Sequence, residues 1–407
     1  MVLITLVSTQ GAAGYEKSPY RRPNFFRLDE IEHLKIVISA PSAELQPYVD
    51  ILKLTADSLL MYRPWSVMFQ RCPDRNVDPH DYYSESTYWW PDPGNPDGPY
   101  IRKDGIRNPD RFTVHKEALT QMSVATFTLG AAAYLFENEH YAEKAREFIR
   151  VWFLDLETRM NPNARYAQVI PNSDQKRGVG IIDTRRFAQV LESVAYLKMA
   201  GYWDEETDRE LQIWFREYLD WLLKSEYGLD EKQRGNNHSS WYAFQIAVYA
   251  RYVGDENIVR ENWNYCRDFL IEGQIEADGS MPLEMERTRS LFYFTFNLDV
   301  LSLLARMAEE DSIDLWRYNN SKGGSIQKSA DYIMPYIENP QNWVREQIYP
   351  FHRNEMIFLL YCGEALHKSS LIHAYRFVQS WRVIREDPFI FLLNIVSISA
   401  SRKEREN

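Results

Sequence analysis

The amino-acid sequence predicts an all-α protein whose helices close into an α/α toroid, an incomplete barrel of antiparallel helix pairs. Apolar residues recur at positions i, i+3, i+4 and i+7 over most of the chain, as at Phe187, Val190, Leu191 and Val194, and this spacing is typical of buried helix faces. Short turn segments such as Gly254-Asp255-Glu256 separate these runs, and few segments alternate with period two. Because no fixed-period repeat accompanies the pairs, a toroid is favoured over a regular solenoid.

The helical spacing begins near Gln46 and continues almost to the C-terminus. The predicted helices cover 46–62, 115–138, 140–155, 183–200, 205–225, 238–253, 256–273, 290–308, 325–337, 354–366 and 370–382. No proline- and serine-rich linker interrupts them, so we expect residues 46–385 to form a single toroid domain. We expect residues 1–45 to be an N-terminal segment and residues 386–407 to be a divergent C-terminal tail.

Composition limits the classes of function. The 407 residues are 45% hydrophobic and 26% charged, with a formal net charge of -11, which fits a globular protein and argues against nonspecific binding to nucleic acid or to membranes. An acidic ligand would therefore need a locally basic cleft. The three distant cysteines, Cys72, Cys266 and Cys362, form neither a disulfide framework nor a metal motif. We expect no metal and no other cofactor, and the sequence leaves the oligomeric state undetermined.

Two long non-helical segments, 72–112 and 159–181, are expected to be ordered loops over the cleft, since long loops inside a compact domain are usually functional or disordered and these are rich in aromatic residues. The first contains Tyr88, Trp89 and Trp90 in succession, followed by Arg102. Sugar rings stack on flat aromatic faces, so these residues are candidates for binding an oligosaccharide. The alternative is that the rings simply cover the core.

A second polar segment, Arg287–Tyr293, combines arginine and tyrosine at the start of a predicted helix. Arginine binds carboxylates in a bidentate manner, and tyrosine beside a fixed cation can act as an acid or a base. On a continuous helix Arg289 would share a face with Tyr293. Arg287 would point elsewhere unless it lies in the loop before the helix, and an ordinary surface pair is an equally good interpretation.

A third segment places Asn237 and His238 where another predicted helix begins. Helix N-termini attract anions because their first N–H groups are unpaired. An amide and an imidazole at this position could hold a carboxylate and exchange a proton beside it. A simple capping or packing role is the more common one for such a histidine.

Together these segments resemble the alginate lyase superfamily. The resemblance rests on Tyr88–Pro93 with Gly98–Gly105, on Asn236–Trp241, and on Arg287–Tyr293, and it covers about residues 50–365. Smaller details resemble polysaccharide lyase families 5 and 38. The family implies an α/α toroid and metal-independent cleavage of 1,4-linked polyuronates, alginate-like or glucuronan-like, by β-elimination that leaves an unsaturated uronate end.

The resemblance also implies roles for individual residues. Asn237 and Arg287 would neutralise the uronate carboxylate, with Arg289 as the alternative to Arg287. Tyr293 would donate a proton to the departing O4 and, in a syn elimination, could also remove the C5 proton. His238 would be the base of an anti elimination or would help to neutralise the carboxylate. Tyr88, Trp89, Trp90, Arg102 and Arg289 would bind the substrate, an acidic polysaccharide.

Other functions and properties remain open at this level. A glycoside hydrolase needs two carboxylates across the cleft, and Asp183, Glu284 and Glu286 are available for that role. A catalytically inactive polysaccharide-binding protein is a further alternative. The family implies an extracellular or periplasmic protein, and the short apolar run Met1–Ser8 could be a weak signal remnant. Neither the uronate nor endo or exo action is specified by these residues.

Overall fold

The structure, a computed structural model, describes residues 22–352, 356–378 and 387–406 and consists mainly of α-helices. The helices are α1 Leu28–Ser39, α2 Gln46–Leu59, α3 Val114–Leu135, α4 Glu139–Ile149, α5 Phe187–Met199, α6 Glu205–Lys224, α7 Glu226–Lys232, α8 Asn237–Tyr252, α9 Glu256–Tyr265, α10 Glu272–Gln274, α11 Pro282–Met285, α12 Ser290–Glu310, α13 Ile326–Glu338, α14 Ile357–Ala365, α15 Ser369–Val378 and α16 Pro388–Glu406. Short π-helical segments, Arg150–Leu154 and Cys266–Ile271, extend α4 and α9. The helical segments predicted from the spacing are therefore present, with ends that differ by a few residues.

Helices on the inside of the fold differ in composition from those on the outside. α3, α5, α8, α12 and α14 contact one another in sequence and are buried on nearly all sides. α4, α6, α9, α13 and α15 each pack against this inner group or its neighbours and bury one apolar face. This division explains why the outer helices carry the clearest i, i+3, i+4 pattern. The predicted all-α toroid is confirmed, as the structural comparisons below also show.

The two predicted loops pair with each other through short strands. The strands are β1 Tyr83–Glu85, β2 Trp89–Trp90, β3 Ile101–Arg102 and β4 Tyr166–Val169. β1 runs parallel to β4, and β2 pairs with β3 in an antiparallel ribbon. β1 belongs to the segment 72–112 and β4 to the segment 159–181, so the two loops form one layer. Gly180 lets the end of the second loop lie directly against β4, because a Cβ there would lie 2.0 Å from the backbone oxygen of Ala167.

Both ends of the described chain enter the core, which differs from the predicted domain boundaries of 46 and 385. α1 buries Ile31 and Leu34, and Phe25 just before it lies with its ring centroid 4.7 Å from that of Phe389. Residues 388–396, predicted as part of a divergent tail, form the buried first half of α16, which packs on α1 and α3. Their apolar residues form a nearly continuous run, and its burial in the core is the physical reason for this packing.

Parts of the predicted segments lie outside the described residues. These are the apolar run at 1–8, residues 353–355 at the start of the predicted helix 354–366, and residues 379–386. Among the described helices, α12 is long and apolar enough to cross a membrane, but 89% of its most apolar window is buried inside the protein. Burial of this kind is typical of a core helix in a toroid.

Candidate active site

His238 is held by a buried carboxylate. Asn236 caps α8, its side chain accepting a hydrogen bond from the His238 backbone N at 3.1 Å. The Nδ1 atom of His238 lies 2.8 Å from Oε1 of Glu231, whose side chain is fully buried at the end of α7. Since Nδ1 is engaged, Nε2 is the ring nitrogen that can meet a substrate. The imidazole side chain is 19% exposed, so it is accessible while being fixed in orientation.

Asn237 is bound to a second buried carboxylate, that of Glu284. The backbone N of Asn237 donates to Oε1 at 2.5 Å, and its Nδ2 lies 3.0 and 2.9 Å from the two carboxylate oxygens. Burial raises the pKa of Glu284, although its hydrogen bonds with Asn237 oppose the shift. The Oδ1 atom of Asn237 is buried and has no hydrogen-bond partner among the described residues. In this geometry the amide donors predicted to hold a substrate carboxylate are engaged with Glu284.

Arg287 lies in the loop before α12, which decides the question that helical spacing left open. Its Nε and Nη2 atoms donate to Asp104 at 3.2 and 2.8 Å, and its guanidinium carbon lies 3.8 Å from the ring centroid of Tyr293. Burial disfavours both charges, but their mutual hydrogen bonds outweigh it, so the pKa of Asp104 is lowered well below its usual range and that of Arg287 is raised. Arg287 is therefore a permanent cation fixed against the Tyr293 ring.

Arg289 occupies a different position. It is the residue that precedes α12, and its guanidinium carbon lies 4.5 Å from the ring centroid of Phe292 and 5.8 Å from that of Tyr349. Arg289 is the N-cap of the helix, and its carbonyl accepts a hydrogen bond from the Tyr293 backbone N at 3.0 Å, but its non-helical backbone turns its side chain toward Phe292 and Tyr349. Arg287, rather than Arg289, is the arginine whose side chain contacts Tyr293.

Tyr293 is nearly buried, with 7% of its surface exposed. Its hydroxyl lies 2.7 Å from the hydroxyl of Tyr88. Burial, followed by the neighbouring Tyr88, raises the pKa of Tyr293 well above its usual range despite the Arg287 cation. The phenol is thus protonated at neutral pH and carries a proton that it can donate once negative charge develops on a neighbouring oxygen.

The aromatic loop contributes only some of its predicted residues to this centre. Tyr88 contacts Tyr293, and Arg102 reaches Asp104 at 2.6 Å. The Trp89 ring centroid lies instead 5.3 Å from the guanidinium carbon of Arg177, and the Trp90 ring centroid lies 4.7 Å from Nζ of Lys103. Both indoles remain partly exposed on the β2–β3 ribbon, next to the centre. Among the described residues, neither indole contacts any of the four predicted catalytic residues.

Two of the three carboxylates considered for a hydrolase, Asp183 and Glu284, are engaged with other residues, and Glu286 is exposed. Asp183 is completely buried and accepts hydrogen bonds from Lys116, Gln168 and Ser84. Burial alone would raise the pKa of Asp183, but these contacts outweigh it and the pKa is lowered. Glu284 is engaged with Asn237, as described above. Across residues 22–352, 356–378 and 387–406, no group of three or more His, Cys, Asp or Glu side chains is placed to hold a metal ion.

The sequence profile of the family described as alginate lyase matches residues 66–343. The chain belongs to the alginate lyase family. Family membership confirms the resemblance seen in the three segments, and it does not favour the hydrolase or the inactive binding protein.

Individual members of the alginate lyase family resemble the chain to different degrees. An alginate lyase from Bacteroides ovatus has the same fold, with a TM-score of 0.84 and 31% identity over 91% of this chain and 98% of that one. Alginate lyase A1-III from Sphingomonas species A1 shares the fold at a TM-score of 0.53 and 15% identity, covering 88% of this chain and 92% of that one. An alginate lyase of Pseudomonas syringae pv. syringae is 25% identical over 131 residues, which are 32% of this chain and 33% of that protein. In this sequence comparison the chain thus matches about a third of the length of the Pseudomonas enzyme.

Three carboxylates of the centre were not identified in their roles from the sequence. Glu231 lies seven residues before His238, at the end of α7 and one turn before α8. Only the fold brings its carboxylate to Nδ1 of His238. Asp104 was part of the recognised loop, but its contact with Arg287 spans 183 residues of chain. Glu284 was considered as a hydrolase carboxylate, whereas it holds Asn237. In each case a carboxylate lay near a motif, but no spacing rule specified its partner.

Proposed function

We propose that the protein is a polysaccharide lyase that cleaves 1,4-linked polyuronates, alginate-like or glucuronan-like, by β-elimination. The observation that carries the proposal is the contact of Arg287 with Tyr293, together with the buried Glu284 carboxylate, which binds Asn237 and interacts electrostatically with both Arg287 and His238. A fixed cation, a protonated phenol and an oriented imidazole are the groups that this elimination requires. Membership of the alginate lyase family supports the same reaction.

The first requirement is to make the C5 proton removable. This proton is α to a carboxylate, and negative charge moves onto that carboxylate as the proton leaves. Asp104 engages the Nε and one Nη of Arg287, which leaves further N–H groups of the guanidinium for a substrate carboxylate. Hydrogen bonds from this fixed cation stabilise the developing charge, the kind of interaction that commonly supplies the largest share of a rate enhancement.

The second requirement is an acid and a base. We assign the acid to Tyr293, because burial keeps its phenol protonated, and the proton goes to O4 as the C4–O4 bond breaks. We assign the base to Nε2 of His238, which takes the C5 proton while the C4–C5 double bond forms. Glu231 fixes the imidazole and stabilises the imidazolium produced, as a buried carboxylate does for the histidine of hydrolytic triads.

The substrate is an acidic polysaccharide in this proposal, although the whole chain carries a net charge of -11. Cations around the centre provide the locally basic surface that such a substrate needs. Arg102, Lys103, Arg177, Arg287 and Arg289 lie on or beside the β2–β3 ribbon and the loop before α12. Cations therefore cluster around the cleft although the protein as a whole is acidic.

A lyase assay on a panel of polyuronates tests the proposal. Polymannuronate, polyguluronate and polyglucuronate are each incubated with the protein, and the ultraviolet absorbance of the unsaturated uronate is followed. At least one should give this product, and Tyr293→Phe should lower its rate by about 10²–10⁴-fold, the usual contribution of a general acid or base. Reducing ends without the new double bond would indicate a hydrolase instead. Turnover by Tyr293→Phe at the unsubstituted rate would remove the tyrosine from the mechanism.

A further inference from the structure

A strip of aromatic side chains continues inward from the catalytic residues. Trp241 follows His238 by three residues on α8, and Phe296 follows Tyr293 by three residues on α12. Residues three apart on a helix share a face, so each aromatic lies one turn beyond a catalytic side chain. The Trp241 and Phe296 rings are 5.2 Å apart, and Phe292 stacks on Phe296 at 5.6 Å. We call Trp241, Phe292 and Phe296 the aromatic strip.

The aromatic strip is accessible although its surroundings are not. From residue 290 to residue 308 of α12, Phe292 and Phe296 alone are partly exposed, and on α8 Trp241 shares this property only with His238 and Arg251. Phe296 lines two adjoining cavities, of about 70 and 200 Å³, which also share Asp299. Three large aromatic rings that are exposed together on otherwise buried helices form a surface that can bind a ligand.

Two arginines flank the aromatic strip. The guanidinium carbon of Arg185 lies 5.3 Å from the Trp241 ring and 5.6 Å from the Phe296 ring, and that of Arg289 lies 4.5 Å from the Phe292 ring. Asp299 is the one carboxylate that lines both cavities among the described residues, and its Oδ1 accepts a hydrogen bond from a backbone N at 3.0 Å. The lining is therefore aromatic and cationic.

Two buried donors at the aromatic strip have no acceptor. Nε1 of Trp241 and Nε of Arg289 are both inaccessible to solvent and without a hydrogen-bond partner in the described part of the chain. Leaving a buried donor unpaired is costly, so native structures normally satisfy such groups. Both side chains are partly exposed, so a small rotation of either one would bring its donor to a carboxylate or hydroxyl oxygen of a ligand.

We propose that the aromatic strip, with Arg185 and Arg289, is a binding subsite for a second uronate residue of the chain whose neighbouring linkage is cleaved at His238 and Tyr293. The sugar ring stacks on the aromatic faces. Its oxygens accept hydrogen bonds from Trp241 Nε1 and Arg289 Nε, and its carboxylate lies between the two guanidinium groups. This subsite rests on the proposed lyase function, since it extends the same cleft, and it gives Arg289 a role distinct from that of Arg287.

Binding is measured first, in a Tyr293→Phe background so that cleavage is slowed by at least about 100-fold. Isothermal titration calorimetry with a saturated uronate trisaccharide compares this background with Trp241→Phe and Arg289→Gln added to it. Each added change should weaken binding about tenfold, and a neutral trisaccharide should bind at least about tenfold more weakly than the uronate. Trp316→Phe is the matched control, because Trp316 is buried in the core and its Nε1 also lacks a partner among the described residues. Equal affinities for all variants, or for neutral and acidic sugars, would overturn the subsite.

Kinetics on the active protein provide the second measurement. In the parent, kcat/KM should rise as oligouronate length extends into the subsite. Trp241→Phe should remove that rise, whereas the control Trp316→Phe should retain it. A rise with length that persists in Trp241→Phe would contradict the proposal. If the parent forms no unsaturated product from any polyuronate, the lyase function fails, and the calorimetry still decides separately whether uronates bind at the strip.

Discussion

Replacing Glu231 with glutamine tests the assignment of His238 as the base. The Glu231 carboxylate is fully buried and lies 2.8 Å from Nδ1 of His238. Glutamine has nearly the same shape but no charge, so it removes the counter-ion of the imidazolium that forms when the C5 proton is taken. Glutamine can also turn its NH₂ group toward Nδ1, and the imidazole proton would then reside on Nε2, the atom that must accept the substrate proton.

The size of the effect follows from this one contact. A hydrogen bond to a charged group contributes about 1.5–3 kcal/mol, and about 1.4 kcal/mol corresponds to a tenfold change in rate. Glu231→Gln should therefore lower kcat by about 10- to 100-fold. KM should change little, because Glu231 lies behind the imidazole and does not reach the substrate.

The assay follows the absorbance of the unsaturated uronate at saturating and at low substrate concentration, which separates kcat from KM. Glu231→Asp should recover part of the lost kcat, since a shorter carboxylate retains the charge. Glu192→Gln is the matched control, because Glu192 is an equally buried glutamate whose partners are the backbone of Asn24 and Phe25 and the Tyr196 hydroxyl. If Glu231→Gln retains the kcat of the unsubstituted protein, His238 does not depend on Glu231 and is not the base we propose.

Three further predictions concern other contacts. Asp104→Asn should lower kcat/KM about 10- to 100-fold, because one charge-assisted pair with Arg287 is lost, and an unchanged kcat/KM would show that the guanidinium needs no counter-ion. Burial raises the pKa of Glu192 to about 7. The contribution of Glu192 to stability is therefore complete below about pH 4.5, and up to about 3 kcal/mol is lost as the pH rises to about 7. Urea unfolding at several pH values should show this loss in the parent but not in Glu192→Gln. Gly180→Ala should reduce the free energy of unfolding by about 1–3 kcal/mol, because its Cβ would meet a β4 backbone oxygen at 2.0 Å, whereas Gly273→Ala, with open space around it, should not.

The parts of the fold that could be predicted from the sequence are those that local spacing determines. The helices around 187–199 and 205–224 follow directly from apolar periodicity. α16 was mistaken for a tail, because a short apolar run beside a charged end resembles a poorly formed terminus when its packing partners are unknown. Those partners are α1 and α3, and α3 is more than 250 residues away in the chain.

In the candidate site, too, local features could be predicted from the sequence, whereas contacts between distant segments could not. The motif positions of Asn237, His238, Arg287 and Tyr293 are local. The structure adds the contact between Arg287 and Tyr293 and a separate carboxylate partner for each of the other contacts. The choice between Arg287 and Arg289 depended on where α12 begins. Helix boundaries are the least reliable feature of a sequence prediction, and a start at Ser290 places Arg287 in the loop.

Three of the four predicted catalytic residues have a carboxylate as partner in the free protein. Asp104 engages Arg287, Glu231 engages His238, and Glu284 engages Asn237. These partners fix the side chains in position before a substrate arrives, which reduces the reorganisation needed during the reaction. They also offset the positive charge at the centre, so attraction of a polyanion to an acidic protein must come largely from cations outside it. Arg289 and Arg185 beside the aromatic strip meet that need, and binding strength and bond cleavage would therefore be governed by different arginines.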